Sequence, residues 1–432
     1  MNSKSFEEKE AYPPKNRKLA ENQGTGLQGR NMPQILQGIR VIDWSLFHVG
    51  PVAAAMLADA GADVIHVEEK SGDPSRGISR FYGQSLIVKD RNIIFEEFNR
   101  NKRGITLDLK KPEGLQAMYR LVEKSDVFLT NFRLSAIKRL GLDYDTLVKY
   151  NPKIIYAHSS TFGSKGPNRD RPGLEPITIA SSGMMLSSGE EGMPPIVPTV
   201  GMGDRIGAIF LAYATLLALL ARERHGISQF VSSSALGSML NLEAWSMIPV
   251  LFFGNDPPRQ RRDSCKNPLN NFYLCKDGVW IQFALLQSDR HWPEFCRVIG
   301  IQELERSEKF ESEEKRMANH VELIAILDRQ FASKTYEEWK SIFLKTDLLF
   351  ARINKLSDVA SDPQVLENKF ILDWDHPHFG KIKFPGFCYE LSKTPPSIRS
   401  AAPTLGQHTE EVLLELGYTW DDIVKLKDKE AI

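Results

Sequence analysis

The chain has 432 residues, which is enough for two domains or for one large domain with a smaller inserted one. Its hydrophobic content of 42% and charged content of 25% are typical of globular proteins. The 55 Lys and Arg residues balance the 55 Asp and Glu residues, so the formal net charge is zero. This balance argues against partners that bind through charge alone, namely nucleic acids and anionic membranes.

Residues 1–32 are polar and rich in Asn, Gln, Gly and Lys, and they predict a flexible N-terminal extension. No apolar segment of the secretory type occurs there. No metal site is predicted either, because the cysteines lack zinc-type spacing and because His376 and His378 alone form a poor site and are expected to be exposed. Widely spaced cysteines predict reduced thiols in a cytoplasmic protein: Cys265, Cys275, Cys296 and Cys388.

Short apolar segments alternate with helical segments through the first half of the chain. Helices are predicted over residues 52–59 and from Pro112 onward, where apolar residues recur at helical spacing. Strands are predicted at residues 39–43, 63–67, 105–109, 127–129 and 154–157. This alternation predicts an α/β fold with a parallel, doubly wound sheet. The phosphate-loop and dinucleotide-binding glycine patterns are both missing, so the sequence offers no case for ATP or NAD.

The residue composition changes after about residue 254, where a segment rich in Pro, Arg and Asn precedes a predicted hairpin over residues 273–283. Helices are predicted from residue 291 to about 336, which indicates a second, smaller α+β domain. The tail predicts a helix over residues 409–416, ended by Gly417, and a last helix that Thr419 and Asp422 begin in a capping-box arrangement.

The sequence G-M-G-D at residues 201–204 stands before an apolar run that reaches about residue 221. The run is short and bracketed by charges, so it predicts a buried helix rather than a membrane span. Asp204 then lies at or just before the helix N-terminus, where a negative charge is favoured. Two interpretations follow from the local pattern: Asp204 caps the helix, or it is a nucleophile held in a tight glycine turn.

Eight segments are informative through their order and spacing along the chain. They are G-I-R-V-I-D with a following G-P (38–51), L-A-D-A-G-A-D-V-I-H-V-E (57–68), G-D-P-S-R-G (72–77), N-R-N-K-R-G-I-T-L-D-L (99–109), N-F-R (131–133), R-L-G-L (139–142), G-S-K-G-P (163–167) and L-G-Q-H-T-E-E-V-L-L-E-L-G-Y (405–418). Over residues 33–432 this pattern resembles the class III coenzyme A transferases, the family of formyl-CoA:oxalate and carnitine CoA-transferases.

The resemblance implies that Asp204 attacks an acyl-CoA thioester and carries a covalent intermediate while CoA passes to an acceptor acid. The N–H groups of the turn at Gly201 and Gly203 are candidate donors to the tetrahedral oxyanions. Glu175 matches an acidic position of several transferases, and a structural salt bridge is an equally good interpretation for it. The implied substrates are acyl-CoA and a carboxylic acid, with no tightly bound cofactor.

The resemblance also implies a set of CoA-binding residues. His48 and Val49 are expected at the thioester end, and Lys102 near the nucleotide. The remaining candidates line the CoA groove in the family, although solvated charge or plain core packing also explains them: Asn131, Phe132, Arg133 and Arg139. Two arginines suit bidentate phosphate binding.

Three departures from the formyl-CoA enzymes bear on the substrate. Glu69 stands where those enzymes have an arginine that stacks on adenine, His48 replaces a glutamine, and residues 267–271 lack their tetraglycine loop. Oxalate and formate are therefore disfavoured, and a larger acid is expected, such as a 2-hydroxy acid, an aryl or substituted succinate, or a carnitine-like acid. An apolar cluster suggests the same: Met184, Met185 and Leu186.

Two alternative functions remain open. An acyl-CoA racemase of the same fold needs two acid–base groups at the α-carbon, and the histidine of that branch is replaced here by Leu174. A non-catalytic subunit of a mixed dimer with a paralogous partner is the other alternative, which the intact segment 201–204 disfavours.

The resemblance further implies a large Rossmann-like domain, a smaller domain and an interlocked-ring homodimer. The expected division is an extension at 1–32, the large CoA-binding domain at 33–235, the smaller domain with linkers at 236–345 and a C-terminal return to the large domain at 346–432. We expect no nucleic-acid or membrane partner.

Overall fold

A six-stranded sheet forms the centre of the computed structural model, which describes residues 34–432. The predicted extension at 1–32 lies outside the described residues. All neighbouring strands of the sheet are parallel, in the order β6-β5-β4-β1-β2-β3. The strands are β1 Arg40–Trp44, β2 Asp63–Glu68, β3 Lys102–Thr106, β4 Val127–Thr130, β5 Ile155–Ser160 and β6 Phe230–Ser234. The predicted α/β class with a parallel sheet is confirmed.

Eighteen α-helices occur within residues 34–432. They are α1 Val49–Asp59, α2 Ile93–Asn99, α3 Pro112–Glu123, α4 Leu134–Arg139, α5 Tyr144–Leu147, α6 Glu175–Ser182, α7 Met184–Ser187, α8 Met202–His225, α9 Ala235–Leu242, α10 Ala244–Phe253, α11 Ser288–Ile299, α12 Glu313–Ala318, α13 His320–Phe331, α14 Tyr336–Phe343, α15 Leu356–Val359, α16 Pro363–Glu367, α17 Thr409–Glu415 and α18 Trp420–Asp428. Short 3₁₀ turns lie at Pro74–Gly77, Arg262–Ser264 and Gln302–Leu304.

Each face of the sheet is covered by its own layer of helices. On one face α1 and α8 pack closely, because α1 presents a run of buried alanines whose small side chains allow near approach. On the other face α3 packs together with the C-terminal helices α17 and α18. Consecutive residues of β1, β2 and β4 are buried and apolar, namely Val41 and Ile42, Val64 and Ile65, and Val127 to Leu129, which suits a sheet that is buried on both sides.

A second core lies around a small antiparallel sheet of three strands, β7 Phe272–Leu274, β8 Trp280–Phe283 and β9 Phe350–Arg352. The predicted hairpin is confirmed as the β7–β8 pair. Helices α11, α13 and α14 close this core with buried aromatic rings: Trp292, Phe295, Phe331, Trp339 and Phe343. In the tail, the predicted capping box between Thr419 and Asp422 is also confirmed.

Helix α8 differs from the expectation of a fully buried helix. One side packs against α1 and α9, but several large apolar side chains on the other side are exposed, among them Ile209, Tyr213 and Leu217. By length and composition alone, α8 passes a test for a membrane-crossing helix, and the bent pair α9–α10 passes it jointly. Core helices of soluble proteins share this length and composition.

A second hairpin, β10 Ile371–His376 with β11 Gly380–Pro385, corrects the expectation that His376 is exposed. The His376 ring is buried, and its Nε2 lies 3.2 Å from Glu96 Oε2 while Nδ1 accepts two backbone N–H groups. Burial lowers the pKa of His376 despite the nearby carboxylate. No cluster of metal-ligating side chains occurs in the described part of the chain, and all four cysteines are free thiols.

Candidate functional site

A cleft of about 340 Å³ opens at the carboxyl ends of β1, β4 and β5. Strands β1 and β4 are neighbours, and the chain leaves them in opposite directions across the sheet. A parallel sheet binds ligands at such a reversal point, because the loops after the two strands separate there. The loop after β1 brings His48 to the cleft, and the loop after β4 brings Asn131.

Asp204 lies in the first turn of α8 and lines this cleft. The N-cap of the helix is Gly201, whose φ of +85° favours glycine and which has no side chain to cap the helix. The side chain of Asp204 makes no capping hydrogen bond and is 24% exposed. The cap interpretation of Asp204 is therefore wrong, and its carboxylate is free to meet a ligand near the positive end of the helix.

The Glu175 carboxylate occupies the backbone donors of the glycine turn. Gly201 N–H donates to Glu175 Oε2 and Gly203 N–H donates to Glu175 Oε1, each at 2.8 Å. A Cβ at position 203 would lie 3.3 Å from Glu175 Cγ, a tight contact that favours glycine there. The prediction that these two N–H groups bind an oxyanion is wrong for this structure, because both are already used. Glu175 instead holds the turn that carries Asp204.

The imidazole of His48 faces Asp204 in the cleft, with its Nδ1 3.4 Å from Asp204 Oδ2. The imidazole stacks on Phe98 of α2, with 4.4 Å between ring centroids. The loop before it is tied down, since Phe47 has a φ of +61° and its N–H donates to Asp73 Oδ2 at 3.1 Å. Backbone strain of this kind persists only where surrounding contacts hold it. His48 is thus presented to Asp204 by a fixed loop.

Val49, Asn131 and Phe132 also line the cleft. The Asn131 amide brackets the backbone of Leu46, accepting from its N–H at 3.0 Å and donating to its carbonyl at 2.8 Å. Phe132 stacks on Trp44 with 4.3 Å between ring centroids. These contacts join the loops after β1 and β4 and give the cleft a rigid wall.

Three arginines lie along the cleft, but only one of them was predicted. Arg133 lines it, whereas Arg139 is exposed at the far end of α4 and does not. Sequence reasoning missed Arg169 and Arg171, which line the cleft. Their signal was the segment R-D-R-P-G (169–173), one residue after the motif G-S-K-G-P, which clusters charge beside glycine and proline.

Lys102 corrects the prediction of a nucleotide-binding lysine. Its ammonium is fully buried and uses its three protons within the core, donating to Asp43 Oδ2 at 2.7 Å, to the Pro51 carbonyl at 2.7 Å and to Asn99 Oδ1 at 2.8 Å. Burial acts to raise the pKa of Asp43, but Lys102 and His66 hold it well below its usual range. Lys102 therefore fastens β1, α1 and α2 together and does not face a ligand.

Three further residues were predicted to bear on the substrate. Glu69 is exposed and pairs with Lys110 at 3.1 Å, away from the residues that line the cleft. Leu174 lies in the cleft with 66% of its surface exposed, directly before Glu175. Leu186 borders a second cavity of about 460 Å³ beside α10, so it does not shape the Asp204 cleft.

Comparison with known proteins decides the family. The model of "CoA-transferase family III" matches residues 36–409. The chain belongs to this family. It is 32% identical over 407 residues to "(R)-2-hydroxy-4-methylpentanoate CoA-transferase" of Clostridioides difficile, covering 92% of this chain and 99% of that protein.

Two further comparisons agree with the family. The "Succinyl-CoA--L-malate CoA-transferase beta subunit" of Chloroflexus aurantiacus is 30% identical, with 92% of this chain and 98% of that protein covered. The crystal structure of a CaiB/BaiF family protein from Brucella suis superposes with a TM-score of 0.78 at 27% identity, covering 89% of this chain and 99% of that one. This family III member is a CoA-transferase, and its cleft is the place where the transfer chemistry has to be sought.

Proposed function

We propose that this transferase moves CoA from an acyl-CoA donor to a carboxylic acid through a covalent intermediate on Asp204. The observation that supports this most is the uncapped, partly exposed carboxylate of Asp204 at the start of α8. A carboxylate that is neither ion-paired to a lysine or arginine nor used as a cap keeps its lone pairs available for attack.

The proposed steps conserve every group. One Asp204 oxygen attacks the thioester carbonyl, the C–S bond breaks, and a mixed anhydride and CoA thiolate form. The thiolate then attacks the aspartyl carbonyl, which releases the donor acid as a carboxylate and leaves an aspartyl-CoA thioester. The acceptor carboxylate attacks this thioester, releases the thiolate and forms a second anhydride. Attack of the thiolate on the acceptor's carbonyl gives the new acyl-CoA and returns Asp204.

His48 has an orienting role in this proposal. Its Nδ1 faces one carboxylate oxygen of Asp204 at 3.4 Å, which leaves the other oxygen to attack the thioester. The stack on Phe98 fixes the plane of the ring, so the contact has one geometry. His48 thereby gives one oxygen of Asp204 a fixed neighbour, where water molecules would otherwise contact it.

The arginines along the cleft supply the cationic surface that CoA needs. Arg133 and Arg171 have exposed guanidinium groups at the cleft and suit bidentate contact with phosphate oxygens. Arg169 is partly engaged by Asp170, at 3.4 Å. We assign CoA binding to this group together with Val49, and no longer to Lys102 or Arg139.

The acid exchanged is proposed to be a 2-hydroxy acid with an apolar side chain. The cleft wall supports this, because apolar side chains surround the mouth next to Asp204: Leu46, Phe47, Val49, Leu134 and Leu174. The similarity to a transferase named for 2-hydroxy-4-methylpentanoate points the same way. A leucine at position 174 has no proton to exchange, which argues against the racemase alternative.

A homodimer is proposed as the active assembly, interlocked as in the family. The described chain exposes apolar side chains of α8 and α10, including Trp245, Phe252 and Phe253, and clusters of exposed large apolar side chains mark protein–protein contacts. Similarity to a protein named as a beta subunit keeps a paralogous partner as the alternative. Native mass spectrometry of the chain expressed alone, with its activity, separates the two arrangements.

A cytoplasmic location is also proposed, on the basis of unpaired cysteines of which Cys275 and Cys296 are buried. Cell fractionation followed by detection of the untagged chain tests it.

The test of the mechanism is intact-mass spectrometry after incubation with a panel of acyl-CoAs, followed by hydroxylamine treatment and peptide mapping. A hydroxylamine-sensitive adduct on the Asp204 peptide, absent in Asp204→Asn, supports the proposal, and the donor that reacts fastest identifies the acid class. Glu223→Asn, a change of an exposed carboxylate on the same helix, is the control and should leave the adduct unchanged. Proton exchange at the α-carbon without any adduct would instead favour racemisation.

A further inference from the structure

The residue after Asp204 is anchored to a helix behind the cleft. Arg205 forms a two-point contact with Glu97 of α2, from Nη1 to Oε1 at 3.2 Å and from Nη2 to Oε2 at 2.9 Å. Planar pairing of this kind fixes both distance and direction. Since Arg205 belongs to the first turn of α8, its anchoring restricts how that turn rotates about the helix axis.

Glu97 is itself held rigidly. Its side chain is 14% exposed, and its Oε1 also accepts from Arg100 Nη1 at 3.2 Å. Arg100 is in turn paired with Asp59 of α1 at 2.6 Å. The chain of contacts Asp59–Arg100–Glu97–Arg205 therefore runs from the helix that follows the His48 loop to the residue beside the nucleophile.

The same helix α2 supports the other neighbour of Asp204. Phe98, next to Glu97, carries the stacked ring of His48. On the opposite side of the turn, Glu175 holds two backbone N–H groups. The first turn of α8 begins at a glycine and has no side-chain cap, so these outside contacts supply the order that a cap would give.

We propose that Glu97 is a positioning residue, which sets the direction of the Asp204 carboxylate through its ion pair with Arg205. This inference rests on the proposed function, because positioning matters only if Asp204 reacts. This ion pair requires an ionised carboxylate. Burial acts to raise the pKa of Glu97, but Arg205 and Arg100 together lower it below its usual value. Glu97 stays charged through the pH range in which a transferase works.

Glu97→Gln and Arg205→Gln test the pairing. The first keeps the side-chain shape and removes the negative charge, and the second shortens the side chain and removes the guanidinium. We expect the single-turnover rate of adduct formation on Asp204 to fall roughly 100-fold in each, which is the cost of a displacement of about 1 Å at a reacting group. The affinity for the acyl-CoA should change less than about twofold, since neither residue lines the cleft. The double variant should be no slower than either single one, because the pair acts as a unit.

Arg222→Gln is the matched control. Arg222 lies at the other end of α8 and pairs with Asp126 at 2.8 Å, so its loss removes an ion pair of the same helix far from Asp204. Its adduct rate should stay within about twofold of that of the original protein. An equal loss of rate in the control, or a loss of acyl-CoA affinity in place of rate, would overturn the proposal.

Amide hydrogen exchange separates this inference from the proposed function. Faster exchange at the first turn of α8 in Glu97→Gln and Arg205→Gln, but not in Arg222→Gln, supports the positioning role of the Glu97–Arg205 ion pair. Unchanged exchange overturns it. If the unaltered protein forms no adduct with any donor, the proposed function fails, and the exchange result still decides whether Glu97 orders the turn.

Discussion

Replacing Glu175 with Gln is the most direct test of how the nucleophile is held. The Glu175 carboxylate accepts the N–H groups of Gly201 and Gly203, both at 2.8 Å, and is 8% exposed. Gln keeps one acceptor oxygen and turns an NH₂ group toward the second N–H. One charge-assisted hydrogen bond is lost and two donors then oppose each other.

The magnitude follows from those two bonds. A hydrogen bond to a charged group contributes about 1.5–3 kcal/mol, so the turn should lose about 2–3 kcal/mol of local stability. Since each 1.4 kcal/mol corresponds to about a tenfold change in an equilibrium constant, the ratio of ordered to disordered turn should fall roughly 30–100-fold. We expect kcat for CoA transfer to fall by up to the same factor, with little change in the KM for the donor.

The assay combines steady-state kinetics with urea unfolding and amide exchange of the turn. Glu223→Gln, which alters an exposed carboxylate of α8, is the control and should leave all three unchanged. A kcat within twofold of the original, in a protein with faster exchange at the turn, would refute the reasoning. A complete loss of activity with unchanged exchange would also refute it, because Glu175 would then act directly on the substrate.

Two further predictions concern buried charge. Lys102→Met should lower the free energy of unfolding by about 3–5 kcal/mol in a urea titration, because it leaves Asp43 buried without its cation. A higher KM for the donor with unchanged stability would instead indicate that Lys102 binds the nucleotide. Arg76→Ala should cost about 3 kcal/mol at pH 7, because Arg76 contacts both oxygens of the buried Glu68. Burial acts to raise the pKa of Glu68, but Arg76 and neighbouring groups lower it overall, so this stabilisation is present above the unfolded pKa of about 4.3 and is lost as pH falls through the folded pKa. Unfolding at pH 7 and pH 3 should therefore show a smaller effect of the variant in acid, and equal effects would contradict the assignment.

The order of strands and helices could be predicted because local patterns determine it. Alternating apolar segments with glycine and proline between them predicted five of the six sheet strands, although the third begins earlier, at Lys102. The sixth, Phe230–Ser234, was missed because its sequence F-V-S-S-S is mostly polar and lies at the sheet edge. A polar edge strand has little periodic signal.

The candidate site could be predicted only as a set of residues near one another in the fold. The family resemblance placed Asp204, Glu175, His48 and Asn131 at one site, but it did not distinguish side chains that face the ligand from those that face the core. Lys102 shows the difference, since its motif matches while its ammonium points into the protein. That orientation depends on contacts with Asp43, which is 59 residues away in the sequence, and with the buried side chain of Asn99. A local sequence pattern does not predict either contact.

The two carboxylates at the start of α8 divide tasks that a single aspartate usually combines. An Asp near a helix N-terminus is stabilised most when it accepts the free backbone N–H groups, and a carboxylate so engaged is a poorer nucleophile because its lone pairs are used. Here Glu175, from another helix, takes those N–H groups, and the glycine at the helix start offers no competing side chain. Asp204 keeps the favourable field of the helix without the hydrogen bonds. Gly201→Ser would add a capping side chain at a backbone with φ of +85°. It should therefore strain the turn without replacing Glu175 as the acceptor of the two N–H groups. This substitution distinguishes a requirement for glycine at position 201 from a requirement for a helix cap.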